Sequence, residues 1–246
     1  MKNGLIDMFD IETDDTPRTS TKIPGIDKVL GRNKVDNSAG FADGQIIMLH
    51  GDPGAGKSTL LLQIAQNLTV QRKTVLYVAG EEDVEQIKER ADRIGGKFKR
   101  QYIRFMRNTD IDSILDAVEE MRPDVYIIDS IQKVKVDEYT PGSATALRRA
   151  SQEFMQFSKD EKIAAFIVVH VSRDGDFSGP REVEHNVDTA ISIKKYKYER
   201  VLHCSKNRMG DENLKAYFKM TDKGLVEVEE KKDEEETDEE PVEESK

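Results

Sequence analysis

Residues 51–58 read Gly-Asp-Pro-Gly-Ala-Gly-Lys-Ser, a glycine-rich loop closing on a lysine and a hydroxyl residue. An apolar run, Ile46-Ile47-Met48-Leu49-His50, precedes it, and Thr59-Leu60-Leu61-Leu62-Gln63-Ile64 follows. Strand, loop and helix is the context that the phosphate-binding pattern G-x-x-x-x-G-K-[ST] demands. Gly54, Ala55 and Gly56 lack bulk, so backbone N–H groups can close around phosphate oxygens. The new helix adds the positive end of its dipole. The predicted nucleotide-contacting residues are Gly51, Asp52, Pro53, Gly54, Ala55, Gly56, Lys57, Ser58 and Thr59. Among them Lys57 is expected to reach the β- and γ-phosphates, and the Ser58 hydroxyl to ligate Mg²⁺.

The rest of the chain supplies a sheet for this loop. Val75–Ala79, 102–106, Val125–Asp129 and 163–170 read as strands. Helical spacing is present at Ile26, Val29 and Leu30; at Val84, Ile87, Ala91 and Ile94; at Ile111, Ile114, Leu115, Val118 and Met121; and at Leu147, Ala150, Phe154 and Phe157. Thr109 and Asp112 are expected to cap the third of these helices, and Pro123 to stop it. Beyond residue 170 the helices are expected to end, and 189–193, 201–205, 216–220 and 225–228 read as an antiparallel run. Alternating βα units with apolar strands predict an α/β fold, a mostly parallel twisted sheet flanked by helices, with antiparallel strands at the C-terminal end. The expected organisation is an N-terminal arm (1–20), one ATPase-type domain (21–228) and an acidic tail (229–246).

Charge is concentrated at one end. The net charge is −10, yet residues 227–246 hold 12 acidic and 3 basic residues, leaving 36 acidic and 35 basic in the other 226. The body is near neutral, so a nucleic-acid partner is not excluded by overall charge. The tail lacks apolar periodicity and reads as disordered, either solvating or regulatory. The arm carries an apolar cluster, Leu5, Ile6, Met8, Phe9 and Ile11. It reads first as a loosely ordered terminus and second as an anchor for a neighbouring subunit. The single cysteine, Cys204, excludes an internal disulfide and a cysteine-based zinc site and reads as a buried small apolar residue. No apolar run of 18 residues and no signal segment occurs, so a cytoplasmic protein without membrane attachment is expected.

Ligands bind at the carboxyl ends of strands in open α/β sheets. Four predicted strand ends carry chemistry: the phosphate loop, Gly80-Glu81-Glu82-Asp83, Asp129-Ser130 and His170. Asp129 fits a direct or indirect partner of Mg²⁺, Glu81 or Glu82 a base that orients water, and His170 or Ser130 a sensor of the γ-phosphate. His50, His185 and His203 have no metal-ligand spacing and read as structural. Lys206 and Arg208 read either as a solvated strand end or as paired cations on one strand face that reach a phosphate.

Together these motifs resemble the bacterial RadA (Sms) family of RecA-like recombination and repair ATPases. The resemblance is carried by the phosphate loop, Val78-Ala-Gly-Glu-Glu82, residues 125–132, His170-Val-Ser-Arg-Asp-Gly175, Glu184-His-Asn-Val-Asp-Thr189 and Lys206-Asn-Arg-Met-Gly210. It covers about residues 18–228. Only the ATPase core is expected, without the family's zinc finger and Lon-like domain, as in a phage-encoded or stand-alone form. Met209 stands where the family usually has phenylalanine, and the loop from Gly31 to Gly44 is longer than usual.

The resemblance implies ATP as substrate, with Glu81 as catalytic glutamate and His170 as γ-phosphate sensor. It places Lys206 and Arg208 at the adjacent protomer's ATP, and Lys133, Lys135 and Arg173 in DNA-contacting loops. It further implies a Mg²⁺-dependent, DNA-dependent ATPase, a homo-oligomer (hexameric ring or filament) on single-stranded DNA, and a recombinase or replication protein as partner. The role would be a branch-migration or helicase-type motor, or a strand-exchange accessory. The competing readings are a nucleotide-switched protein-interaction module without DNA dependence and, more weakly, a small-molecule kinase.

Overall fold

The computed structural model describes residues 17–170, 178–197 and 199–229. In chain order they form α1 (Pro24–Leu30), β1 (Ile46–Gly51), α2 (Lys57–Val70), β2 (Val75–Ala79), α3 (Val84–Arg93), β3 (Ile103–Met106), α4 (Ile111–Met121), β4 (Val125–Asp129), α5 (Ala144–Glu161), β5 (Ala164–His170), α6 (Ser178–Glu184), β6 (Thr189–Tyr196), β7 (Glu199–Asn207), β8 (Lys215–Thr221) and β9 (Gly224–Val228).

The strands join one sheet in the order β3-β2-β4-β5-β1-β6-β7-β8-β9. From β3 to β6 the pairs are parallel, and from β6 to β9 antiparallel. The central strands β1, β2, β4 and β5 are largely apolar because both faces are covered, whereas the edge strand β3 exposes Arg104 and Phe105. Alternation divides them: Ile47 and Leu49 of β1 face the layer containing α1 and α2, whereas Ile46 and Met48 face α4, α5 and α6. β5 divides likewise, with Phe166 and Val168 on the first side and Ile167 and Val169 on the second. Phe154 of α5 is fully buried against Tyr126, ring centroids 6.0 Å apart. Truncating such an aromatic to alanine costs about 3–5 kcal/mol.

Local details depart from expectation in four places. The cap of α4 is Asp110, whose carboxylate accepts from the Ser113 N–H at 3.1 Å and the Ser113 hydroxyl at 2.9 Å, so the motif sits one residue later than Thr109 and Asp112. A helix, α6, follows β5 after all. Its Gly179 and Pro180 suggest a turn, but proline is tolerated in a first helical turn, and Val183 is buried in the core. β6 belongs to both regimes, parallel to β1 and antiparallel to β7. Tyr102 lies in a 3-10 turn (Arg100–Tyr102) rather than in β3.

Candidate nucleotide-hydrolysis site

The sheet order brings the carboxyl ends of β2, β4, β5 and β1 side by side. Ala79 is in register with Asp129, and Gly51 with His170. The Gly80 N–H donates to the Asp129 carbonyl at 2.8 Å, fixing the turn that presents Glu81.

Gly51 leaves β1 at φ 141°, and a Cβ there would stand 2.2 Å from the Ile193 carbonyl oxygen. No side chain caps α2, so its first turn presents backbone donors. Lys57 is buried and its Nζ donates to the Gly51 and Asp52 carbonyls at 2.7 and 3.0 Å. Burial lowers its pKa, opposed by the charges of Asp129, Glu81 and Asp52. Arg200, also buried, supports the loop by donating from Nε to the Ala55 carbonyl at 3.0 Å.

Asp129 is buried beneath the loop. Its Oδ2 accepts from the Tyr77 hydroxyl at 2.6 Å, while Oδ1 has no hydrogen-bond partner among the described residues. Burial raises its pKa, and the Tyr77 and Ser58 hydroxyls oppose that shift. The peptide between Asp129 and Ser130 is cis. Glu81 Oε2 stands 2.6 Å from His170 Nε2, off the line of a ring N–H. Burial is the main cause that lowers the His170 pKa. Lys57 adds to it, and Glu81 and Asp129 oppose it. Ligand atoms of Glu81, Asp129 and His170 all lie within 4.8 Å of one another.

Glu82 is engaged elsewhere: Arg90 Nη1 and Nη2 donate to its two oxygens at 2.5 and 2.6 Å. Ser130 Oγ is buried without a hydrogen bond among the described residues, and Gln132 Nε2 donates to the His170 carbonyl at 3.0 Å. The orphaned Asp129 Oδ1 and the nearby Ser58 hydroxyl are hard oxygen donors and fit Mg²⁺.

Lys133 and Lys135 are exposed on one side of a segment that buries Val134 and Val136, beyond the carboxyl end of β4. Arg173 lies outside the described residues. Lys206 and Arg208 are not brought to this edge. β7 ends at Asn207, opposite Thr189, and Thr189 pairs with Ile47 near the start of β1. The two cations therefore sit a strand's length, roughly 15 Å, from the phosphate loop of their own chain. Lys206 Nζ donates to the Glu184 carbonyl at 2.6 Å, and Arg208 stands 3.6 Å from Asp188. Arg208 lies one residue past the end of β7, yet its charge and those of Glu184 and Asp188 all bear on Lys206, so the two cations remain neighbours.

Tyr77, Arg90, Gln132 and Arg200 were not among the expected site residues. A hydroxyl-bearing aromatic on an otherwise aliphatic strand was the one available signal, since a buried tyrosine needs a partner.

The model of the AAA domain family matches residues 31–176. The chain is 39% identical over 222 residues to the DNA repair protein RadA of Bacillus subtilis, covering 89% of this chain and 46% of that protein. It is 41% identical over 215 residues to the RadA of Streptococcus pneumoniae, covering 86% and 49%. The chain thus spans about half the length of the curated relatives it matches. Among solved structures, the ATPase domain of G40P has a TM-score of 0.68 at 13% identity, covering 77% of this chain and 87% of that one. A KaiC-like protein of Pyrococcus horikoshii OT3 has a TM-score of 0.67 at 18% identity, covering 86% and 99%. These two likenesses show the fold, which is RecA-like. The chain belongs to the AAA domain family, and what it matches in the RadA proteins is their ATPase core.

Proposed function

We propose that this chain hydrolyses ATP and couples the hydrolysis to single-stranded DNA in recombination or repair, as an oligomer whose sites are shared between protomers. The observation that carries this reading is the convergence of Lys57, Asp129, Glu81 and His170 at one sheet edge, with Lys206 and Arg208 at the other.

Glu81 accepts a proton from the attacking water and orients it, because its neighbour Glu82 is already held by Arg90. Lys57 leaves its two carbonyls and meets the β- and γ-phosphate oxygens, with the N–H groups of the loop around them. Ser58 and Asp129 would hold Mg²⁺, which when bound would neutralise charge on the phosphates. His170 acts on this reading as the γ-phosphate sensor, with Gln132, which donates to its carbonyl, as the residue that relays the signal. Lys206 and Arg208 complete the site of the next protomer in a ring or filament. Lys133 and Lys135 give salt-sensitive contacts to the DNA backbone. On this reading residues 21–228 form the ATPase unit, 1–20 the arm and 229–246 the tail of a cytoplasmic protein. Among the described residues no helix is long and apolar enough to cross a membrane.

The test is ATP hydrolysis with and without single-stranded DNA at two salt concentrations. Stimulation that weakens at high salt is expected. Hydrolysis indifferent to DNA would favour the nucleotide-switched interaction module.

A further inference from the structure

A basic groove lies away from the phosphate loop. Its cavity of about 650 Å³ is lined by Arg18, Lys28, Arg32, Lys34 and Arg208, with Asp211 the one carboxylate among the lining residues. Arg18 is committed to structure, donating to the Gly40 carbonyl at 3.2 Å and to the Met209 carbonyl. Lys28, Arg32 and Lys34 are exposed, and among the described residues none of them has a carboxylate partner. Among the described residues the carboxylate nearest to Arg208 in an ion pair is Asp188, at 3.6 Å. Unpaired cations crowded on one surface attract a polyanion.

The chain itself supplies one close by. An adjoining cavity of about 480 Å³ is lined by Lys28 together with Glu227, Val228 and Glu229. Lys28 therefore borders both the groove and the point at which the chain leaves β9. Residues 230–246 hold 10 acidic and 3 basic residues. Extended, these 17 residues reach roughly 55 Å. A tether this short gives an effective concentration on the order of 1 mM, so weak pairwise attraction suffices.

We propose that the acidic segment 230–246 docks in cis along the groove formed by Lys28, Arg32, Lys34 and Arg208. Docking covers Arg208, so the segment must leave before Arg208 can meet a neighbour's nucleotide. That regulatory consequence rests on the proposed function, whereas the docking rests on charge and position alone.

Zero-length carbodiimide coupling of carboxylates to lysine amines tests the docking on the full chain, using a dilute equal mixture of ¹⁵N-labelled and unlabelled protein. Amide links from residues 230–246 to Lys28 or Lys34 are expected within one isotopic form, enriched over links to Lys73 or Lys88. They should fade as salt rises from about 0.05 M to about 0.5 M. Links scattered evenly over the surface lysines, or none, would overturn the proposal. Mixed-isotope links would overturn it in favour of docking on a second copy. If the chain truncated after Glu229 gains binding to a single-stranded oligonucleotide, loses it on Arg32→Glu with Lys34→Glu, and the full chain shows no links, the groove belongs to nucleic acid. Truncation is also expected to raise ATP turnover several-fold. Unchanged turnover with the links intact would leave the docking standing and count against Arg208 acting in trans.

Discussion

Arg90 grips Glu82 through both oxygens, at 2.5 and 2.6 Å, and the adjacent Glu81 turns instead toward His170, its Oε2 2.6 Å from Nε2. Two neighbouring carboxylates thereby receive different tasks. Glu82 ties the turn after β2 to Arg90 in the last turn of α3, and Glu81 remains available at the edge where Asp129 and Lys57 also lie.

The pair can be separated by isosteric substitution. Glu81→Gln should lower single-turnover ATP hydrolysis by about 10²–10⁴-fold with nucleotide affinity nearly unchanged. Glu82→Gln keeps the shape but weakens a charge-assisted pair, so its main effect should be a loss of roughly 1 kcal/mol in stability. Quenched-flow hydrolysis and urea unfolding of both variants check this. A larger hydrolysis defect in Glu82→Gln would exchange the two assignments.

The opposite placement of Arg208 and Lys57 gives a complementation test. Arg208→Ala and Lys57→Ala should each abolish turnover. An equal mixture of the two should recover about a quarter of wild-type activity, because one interface in four pairs an intact loop with an intact Arg208. Arg208→Ala alone should still bind ATP. A mixture as inactive as its components would mean that both residues serve the same site.

The central strands were legible because burial on both faces forces continuous apolar runs, as in β1, β4 and β5. The phosphate loop was legible because its chemistry is local in sequence. What sequence hid was long-range. The bond from Tyr77 to Asp129 spans 52 positions and that from Arg200 to Ala55 spans 145. A lone arginine in an antiparallel strand carries no sign of its partner. Glu81 and Glu82 could not be told apart from the motif, since the difference lies in Arg90, eight residues beyond Glu82. The edge position of Lys206 and Arg208 follows from the pairing of β6 with β1, which spacing within Lys206-Asn-Arg208 does not encode.

Glycines of the phosphate loop should respond unequally to alanine. A Cβ at Gly51 meets the Ile193 carbonyl oxygen at 2.2 Å, and backbone cannot swing aside as a flexible side chain would. Gly54 has φ 73° with nothing within 4 Å of its Cβ position. Gly54→Ala should cost only the left-handed strain, about 1 kcal/mol. Gly51→Ala should cost several times that or prevent folding. Urea midpoints of the two variants decide it, and comparable losses would show that β1 can shift away from β6.

His50 should make the protein acid-sensitive. Burial, with Lys57 and Lys194 nearby, holds its pKa down to about 4 in the native state, against roughly 6.5 when unfolded. Above about pH 6.5 the ring is neutral in both states and contributes nothing to the pH dependence. As pH falls from about 6.5 toward 4, the unfolded chain binds a proton that the native state refuses, so stability declines by up to about 1.4 kcal/mol per pH unit. Partial exposure of the ring reduces the total to roughly 2 kcal/mol. Carboxylates shared by wild type and His50→Gln cancel in the comparison. The difference in unfolding free energy between pH 7.5 and 5.5 should therefore be about 1 kcal/mol smaller in the variant. Equal differences in the two proteins would show that His50 accepts its proton without unfolding.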